Sequence, residues 1–490
     1  MSENVIQGEP NLYLLTFSQA FELGKSQAEL DFVDIPLNAD VPLFIDPFAI
    51  SQRLDQWSQK AHRTLIGFFQ TIVDSIRSGS DDRARTLLLH LREPNETHLG
   101  LSSGRPQGAG IGPQQAEEIF EALRHSEAVK TGFLSSLEEC ELMIDGIGRD
   151  KISDLTTNII RYHLADYSYS QCQLHEIPTQ KKPLPACYDL ESQRWSSNYL
   201  ELPVWEGKPL LLVPKAIFRF SPAYNHQKYY NHFVLDFLQF EHLSDSSSLV
   251  HTFRNGKRRV YKKDLKQLYP CTKDFLYDFS LKHPDVLEQY REKLKGLENR
   301  DEGCELDIDD EPVIATSLAK VLQSIPPGSE TASDYHRLMV GIVEFLFFPK
   351  LLCPIKEKEI HQGRKRIDIQ MENGARSGIF YRLHDIQHIP CSYVPFECKN
   401  YQTDIANPEI DQLAGRFSVN RGKVGFLCCR QFENRNLFLN RCKDTFTDGR
   451  GLLLPLDDKI ILTFLELIKN RKRDGIDQHL SFMVREVCGS

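Results

Sequence analysis

From Glu298 to Glu311 the chain reads ENRDEGCELDIDDE, eight carboxylates and one arginine in a single run. So many like charges repel one another and cannot be desolvated together, so the block is expected as a solvated linker rather than core. Pro326-Pro327-Gly328 forms a second break, and the apolar spacing of Pro312–Ser324 predicts a short amphipathic helix between the two. At 490 residues the chain is also too long for one compact core. The expected organisation is an N-terminal region at 1–300, an acidic linker and short helix at 301–327, and a C-terminal domain at 328–490.

Hydrophobic residues make up 41% and charged residues 26%, which suits a folded chain. No apolar run reaches the roughly 18 residues of a membrane-spanning helix. The opening MSENVIQGEP has neither the basic nor the apolar part of a secretory leader. Twelve cysteines are scattered without a C-x-x-C pair, against both a zinc ribbon and a disulfide framework. A cytoplasmic protein with reduced thiols and no membrane partner is expected. The net charge of −9 speaks against a general nucleic-acid binder, but the charge is uneven. Residues 328–490 hold 24 Lys/Arg against 21 Asp/Glu, a balance of +3, and the remainder holds 35 against 47, or −12. Clustered charge rather than the total decides whether phosphates are gripped.

The N-terminal pattern predicts helices over Arg53–Ser78, Pro113–His125 and Ile152–Tyr167, and short strands at Pro42–Ile45 and Pro209–Val213. That describes a mixed α/β or α-rich region. Ser103–Pro113 places Gly108, Gly110 and Gly112 before a helix but lacks the G-K-[S/T] of a phosphate loop, so it is expected to be a plain flexible loop. Asp145–Asn158 does not fit an EF-hand; Ser153 is expected to cap a helix. Asp34, Asp40 and Asp46 are an acidic set that nothing organises into a metal site.

The C-terminal pattern is cleaner. A helix over Asp334–Phe348, strands at Arg366–Met371 and Ser392–Lys399, and a helix over Asn407–Asn420 are expected, the last with Pro408 in its first turn and Gly422 beyond its end. A strand at Lys423–Cys429, a helix at Asn434–Thr445, a strand at Gly451–Leu456 and a helix from Asp457 to Asn470 follow. The order describes an α/β domain with a mixed central sheet flanked by helices. Cys428 and Cys429 read as small core residues. Arg471-Lys472-Arg473 reads as a helix end complementing the dipole. His384 and His388, four apart, lack a third zinc ligand.

In an extended segment Glu397 and Lys399 share one face while Phe396 and Cys398 point to the other. A carboxylate beside an ammonium can hold a divalent cation and position or deprotonate a water. Asp368, between Ile367 and Ile369, likewise faces away from an apolar pair. Glu344 is the one charged residue between Leu338 and Pro349. Buried alone it would cost several kcal/mol, so it demands a partner, for which a metal is one candidate. Gln412 and Arg416 share a helical face; the amide can orient water or phosphate and the guanidinium can bind phosphate. Arg364-Lys365-Arg366 precedes Asp368 as a basic patch.

At these residues the sequence resembles the PD-(D/E)xK, restriction-endonuclease-like nucleases, nearest to their Mrr-like and Holliday-junction-resolvase-like branches. The resemblance rests on Glu344 in a helix, Asp368 in RKRIDIQ, Glu397–Lys399 in FECKNY and Gln412 in the next helix, and covers only the C-terminal domain. It implies that Glu344, Asp368, Glu397, Lys399 and Gln412 form the catalytic set. Mg²⁺, with Mn²⁺ as a substitute, would sit on Asp368, Glu397 and the Cys398 carbonyl. Arg364, Lys365, Arg366 and Arg416 would contact nucleic acid. Asp368 and Glu397 stand 29 residues apart, so an inserted loop or short helix is expected between them.

A metal-dependent DNA endonuclease is the expectation, with RNA left open as substrate and a homodimer expected for a double-strand cutter. A role in bacterial restriction or anti-phage defence is implied by resemblance alone. The N-terminal region would recognise substrate, a protein partner or a trigger. The alternative is a nucleic-acid-binding or assembly protein with an inactive or partner-gated nuclease-like domain.

Overall fold

A computed structural model of the chain describes residues 15–37, 43–99, 113–134, 136–219, 223–245, 247–253, 255–298, 311–356, 369–401, 405 and 407–489. The N-terminal region is largely helical. Its long helix α1 (Gln56–Arg77) starts where the Asp55 side chain accepts the Ser58 amide at 2.8 Å, an ordinary N-cap. The expected single helix over Ile152–Tyr167 is two, α2 (Arg149–Ile159) and α3 (Arg161–Leu174), broken at Ile160. Ser153 does not cap: it lies inside α2, where its hydroxyl accepts the Ile45 amide at 3.0 Å. A hairpin of β1 (Gln180–Asp189) and β2 (Arg194–Leu202) follows. Pro209–Val213 is not a strand beyond Pro209; Leu210–Val213 is a buried extended run. Its Leu210 and Leu211 amides bond to the Pro203 and Glu96 carbonyls and its Leu212 amide to the Ser168 hydroxyl.

The C-terminal region carries a five-stranded mixed sheet. Helix α4 (Glu311–Ser324) buries Ala315, Leu318 and Leu322 in the C-terminal core, so this part of the expected linker is packed. Then come α5 (Ala332–Phe347), β3 (Leu351–Ile355), β4 (Ile369–Asn373), β5 (Tyr393–Lys399), α6 (Asn407–Ala414), β6 (Val424–Cys429), α7 (Arg435–Thr447), β7 (Leu452–Asp457), α8 (Asp458–Lys469) and α9 (Asp474–Cys488). The strand order is β7-β6-β5-β4-β3, with β5, β6 and β7 parallel and β3, β4 and β5 antiparallel. The expected insert between β4 and β5 is there, as a turn of helix at Gly378–Tyr381 running into a wider turn at Arg382–Ile386. Alternate residues of β5 and β6 make an aromatic layer: Phe396 stacks on Phe426 with ring centres 4.9 Å apart, and Phe347 of α5 lies 5.6 Å from each. Helix α5 therefore covers the Phe396 face of the sheet, and the period of two sends Glu397 to the opposite face.

The two regions are packed together. The N-terminal core includes Leu352 and Cys353 of edge strand β3. Gln171 of α3 donates to the Pro354 carbonyl at 3.0 Å, and Glu372 of β4 accepts the Gln56 and Trp57 amides at 2.6 and 3.2 Å, closing the N-terminus of α1. Among the described residues, no helix is long and apolar enough to cross a membrane.

Candidate active site

Three elements converge on the buried carboxylate of Glu397. Lys399, two residues on along β5, places its ammonium 2.6 Å from Oε1. Gln412 of α6 donates its amide to the same oxygen at 3.0 Å, and the Arg416 guanidinium bonds to Oε2. Gln412 from α6 and Arg416 from the turn just past its end thus reach one carboxylate.

The helix carrying Gln412 ends earlier than its apolar spacing predicts. The expected helix to Asn420 stops at Ala414, and Gly415 leads into an irregular segment. Phe417 then lies across Gly425 and Gly451, where added Cβ atoms would stand 2.9 and 2.3 Å from its ring. Those two glycines let the segment settle on the sheet and hold Arg416 over Glu397. Gly422, at φ +118°, presses its backbone against the Tyr393 carbonyl, so it serves a tight turn rather than the helix end.

Asn400, next after Lys399, ties the strand end to the entry of α5. Its amide nitrogen donates to the Pro326 and Gly328 carbonyls at 3.2 and 2.9 Å and to the Thr331 hydroxyl at 3.0 Å. Sequence reasoning passed over Asn400, and only its place directly after E-x-K could have drawn attention to it.

Asp368, Arg364, Lys365 and Arg366 lie outside the described residues, as do Asp40 and the glycines of the Ser103–Pro113 loop. Strand β4 begins at Ile369, paired with Phe396, so the chain enters it one register position from Glu397. Cys398 lies on the aromatic side of β5 and pairs with Cys428. Among the described residues no three His, Cys, Asp or Glu side chains are arranged to hold a metal. The described oxygen donor suited to a hard cation is Glu397.

Glu344 has a different partner from the metal expected for it. It shares a face of α5 with Arg337 and Gly341, the face meeting Lys25 and Glu29. Its Oε1 lies 2.8 Å from the Lys215 ammonium, with both side chains 1% exposed. Lys215 also sits over the Phe348 ring at 4.1 Å. Asp31 stands nearby, its Oδ2 accepting the Tyr167 hydroxyl at 2.6 Å and its Oδ1 the Cys353 amide at 3.1 Å. Burial pushes the Glu344 carboxyl up to about 7, with Lys215 pulling it back. The helix carboxylate thus belongs to a buried junction with the N-terminal region.

The weaker candidates resolve into ordinary roles. His384 Nδ1 accepts the Cys391 amide at 3.1 Å. Asp34 accepts the Ser18 amide and hydroxyl, and Asp46 caps the helix Pro47–Ser51. Cys428 and Cys429 are buried in β6. Arg473 does serve a helix end, but that of α5, donating to the Phe345 and Leu346 carbonyls at 2.9 and 3.2 Å.

A family model described as "Domain of unknown function (DUF8370)" matches residues 22–225. The match spans less than half of the chain and takes in Asp31, Tyr167 and Lys215 but none of the residues around Glu397. No curated protein and no solved structure matches the chain.

Proposed function

We propose that the C-terminal domain is a metal-dependent phosphodiester hydrolase of the restriction-endonuclease-like kind, cutting DNA. The observation that carries this reading is the Glu397–Lys399 pair on one face of β5, met by Gln412 and Arg416 from the following helical segment. A mixed sheet ordered helix, three antiparallel strands, helix, parallel strand supports it.

Glu397, with Asp368 and the Cys398 carbonyl, would hold Mg²⁺ or Mn²⁺. The ion, when bound, supplies Lewis acidity toward a phosphoryl oxygen and offsets the charge that develops there. The protein's own groups do the rest. Arg416 and Lys399 set two positive charges beside Glu397, which favours a phosphodiester entering the site. Lys399 orients the attacking water and stabilises developing negative charge. Gln412 fixes the Glu397 carboxylate in one orientation. Glu344, paired with Lys215, anchors α5 to the N-terminal region.

One observation favours a second reading, a gated or inactive domain. Both Glu397 oxygens are already engaged, by Lys399, Gln412 and Arg416, and two of these donors are cations, so a divalent ion would enter against their charge. Cleavage of end-labelled DNA and RNA of one sequence, with Mg²⁺ or Mn²⁺ and with Glu397→Ala alongside, separates the readings. Metal-dependent DNA cleavage lost in the variant supports the enzyme. Binding without cleavage supports the gated domain.

A further inference from the structure

The acidic N-terminal part contains one strongly basic exposed element. From Lys257 to Lys266 the chain reads KRRVYKKDLK, six Lys/Arg and one Asp, in a part of the molecule whose balance is −12. These residues form the second arm of a small hairpin, His251–Thr252 paired with Arg258–Arg259, and the helix Lys262–Leu268.

The element is held firmly from beneath. Val260 and Leu265 are buried, and Gln239 donates to the Val260 carbonyl at 2.6 Å. The hairpin closes through the Phe253 amide bonding to the Lys257 carbonyl at 2.8 Å, with Gly256 in the left-handed region at φ +78°. Arg258 donates to the Leu243 carbonyl, Lys262 pairs with Asp236, and His251 pairs with Asp264. Lys257, Arg259, Lys263 and Lys266 are exposed and, among the described residues, make no ion pair with a carboxylate. The Arg259 guanidinium lies 5.2 Å over the Tyr261 ring, and Phe253 is 45% exposed beside them.

Six cations against the single Asp264 of this run raise the local potential, which an anionic partner would offset. Exposed rings beside guanidinium groups suit bases as well as phosphates. We propose that this hairpin-and-helix face binds the phosphate backbone of nucleic acid, as a second substrate contact built from a different part of the chain than the Glu397 site. The choice of nucleic acid rests on the nuclease reading, but the contact is measurable without cleavage.

The experiment is fluorescence anisotropy of the full chain with labelled duplex and single-stranded DNA in EDTA, over a range of salt. It compares the wild type with the combined Lys257→Ala, Arg259→Ala, Lys263→Ala and Lys266→Ala variant. Each duplex phosphate contact contributes about 0.9 to the slope of log affinity against log salt, so losing four flattens it by about 3.6. Affinity at physiological salt is expected to fall at least about tenfold. The four side chains are exposed, so melting should be unchanged; Lys263→Glu alone, expected to weaken binding in the same direction, guards against a misfolded multiple variant. Wild-type affinity and slope in the variants, or a wild type that binds anionic vesicles and no nucleic acid, overturns the proposal. If binding depends on the patch while no condition yields cleavage, this contact stands and the nuclease reading falls.

Discussion

Replacing Lys215 by Met removes the ammonium 2.8 Å from Glu344 Oε1 and leaves a carboxylate with 1% exposure inside the junction between the two regions. Breaking a buried ion pair from one side costs about 3–5 kcal/mol, because the remaining charge is neither solvated nor paired. For an unfolding unit of about 150–250 residues that corresponds to roughly 6–20 °C in melting temperature. The sign with pH follows from the carboxyl. Burial already raises Glu344 to about 7 when folded, above its ordinary value, and losing Lys215 raises it further. A folded carboxyl that holds its proton more tightly than the unfolded one costs nothing below the unfolded pKa and costs most above the folded one. The deficit of the variant should therefore be small near pH 5 and largest near pH 8.5. Lys215→Met combined with Glu344→Leu exchanges the pair for apolar groups and should recover most of the loss. Melting followed by circular dichroism at several pH values reads all three proteins. A single variant as stable as the wild type at high pH, or a double variant no better than the single, would show that the pair is not the buried bond described.

Several other consequences can be measured on the same protein. Burial also raises the Glu138, Glu372 and Asp458 carboxyls to about 7 and Asp154 to about 8, while it lowers His163 to about 4 and His175 to about 3. The carboxyls lose stability as pH rises from their unfolded values of about 4 through 7 to 8, and the histidines lose it as pH falls from their unfolded value of about 6.5. With four such carboxyls against two histidines, melting temperature should fall as pH rises from about 5 to 8, and a rise over that span would contradict that accounting. Glu372→Ala strips two amide bonds from the start of α1 and should cost about 1–2 kcal/mol in urea unfolding; a change within about 0.3 kcal/mol would exclude the capping role. Gln412→Ala should lower cleavage about tenfold with melting unchanged, through loss of one orienting bond to Glu397. Equal rates in wild type and variant would remove Gln412 from the site.

The sequence made the Glu397 face legible because a strand has a period of two, and F-E-C-K alternates apolar and charged side chains without ambiguity. Gln412 was legible for the matching helical reason, while Arg416 reaches the same carboxylate from the turn beyond α6. Strand β3 was hidden because LFFPKLLCPI runs on from α5 with scarcely a polar break, so periodicity alone could not divide it. The β1–β2 hairpin was hidden because Gln180–Asp189 contains two prolines, which ordinarily argue against a strand. The partner of Glu344 lies 129 residues upstream, and a pairing at that separation leaves no local trace. Burial of Glu344 and its need for a partner were readable; which group answers that need was not. The basic run at Lys257–Lys266 was visible in the sequence but was averaged away within an acidic region.

Supercoiled-plasmid cleavage by the full chain, run with Mg²⁺, with EDTA, and with Lys399→Ala at equal concentration, bears most directly on the proposed activity. Nicking or linearisation that requires the metal and disappears in a variant that still melts like the wild type is the expected result. Cleavage that persists in Lys399→Ala would place the chemistry elsewhere, and a well-folded wild type inert on plasmid at every metal concentration would contradict a self-sufficient DNA endonuclease.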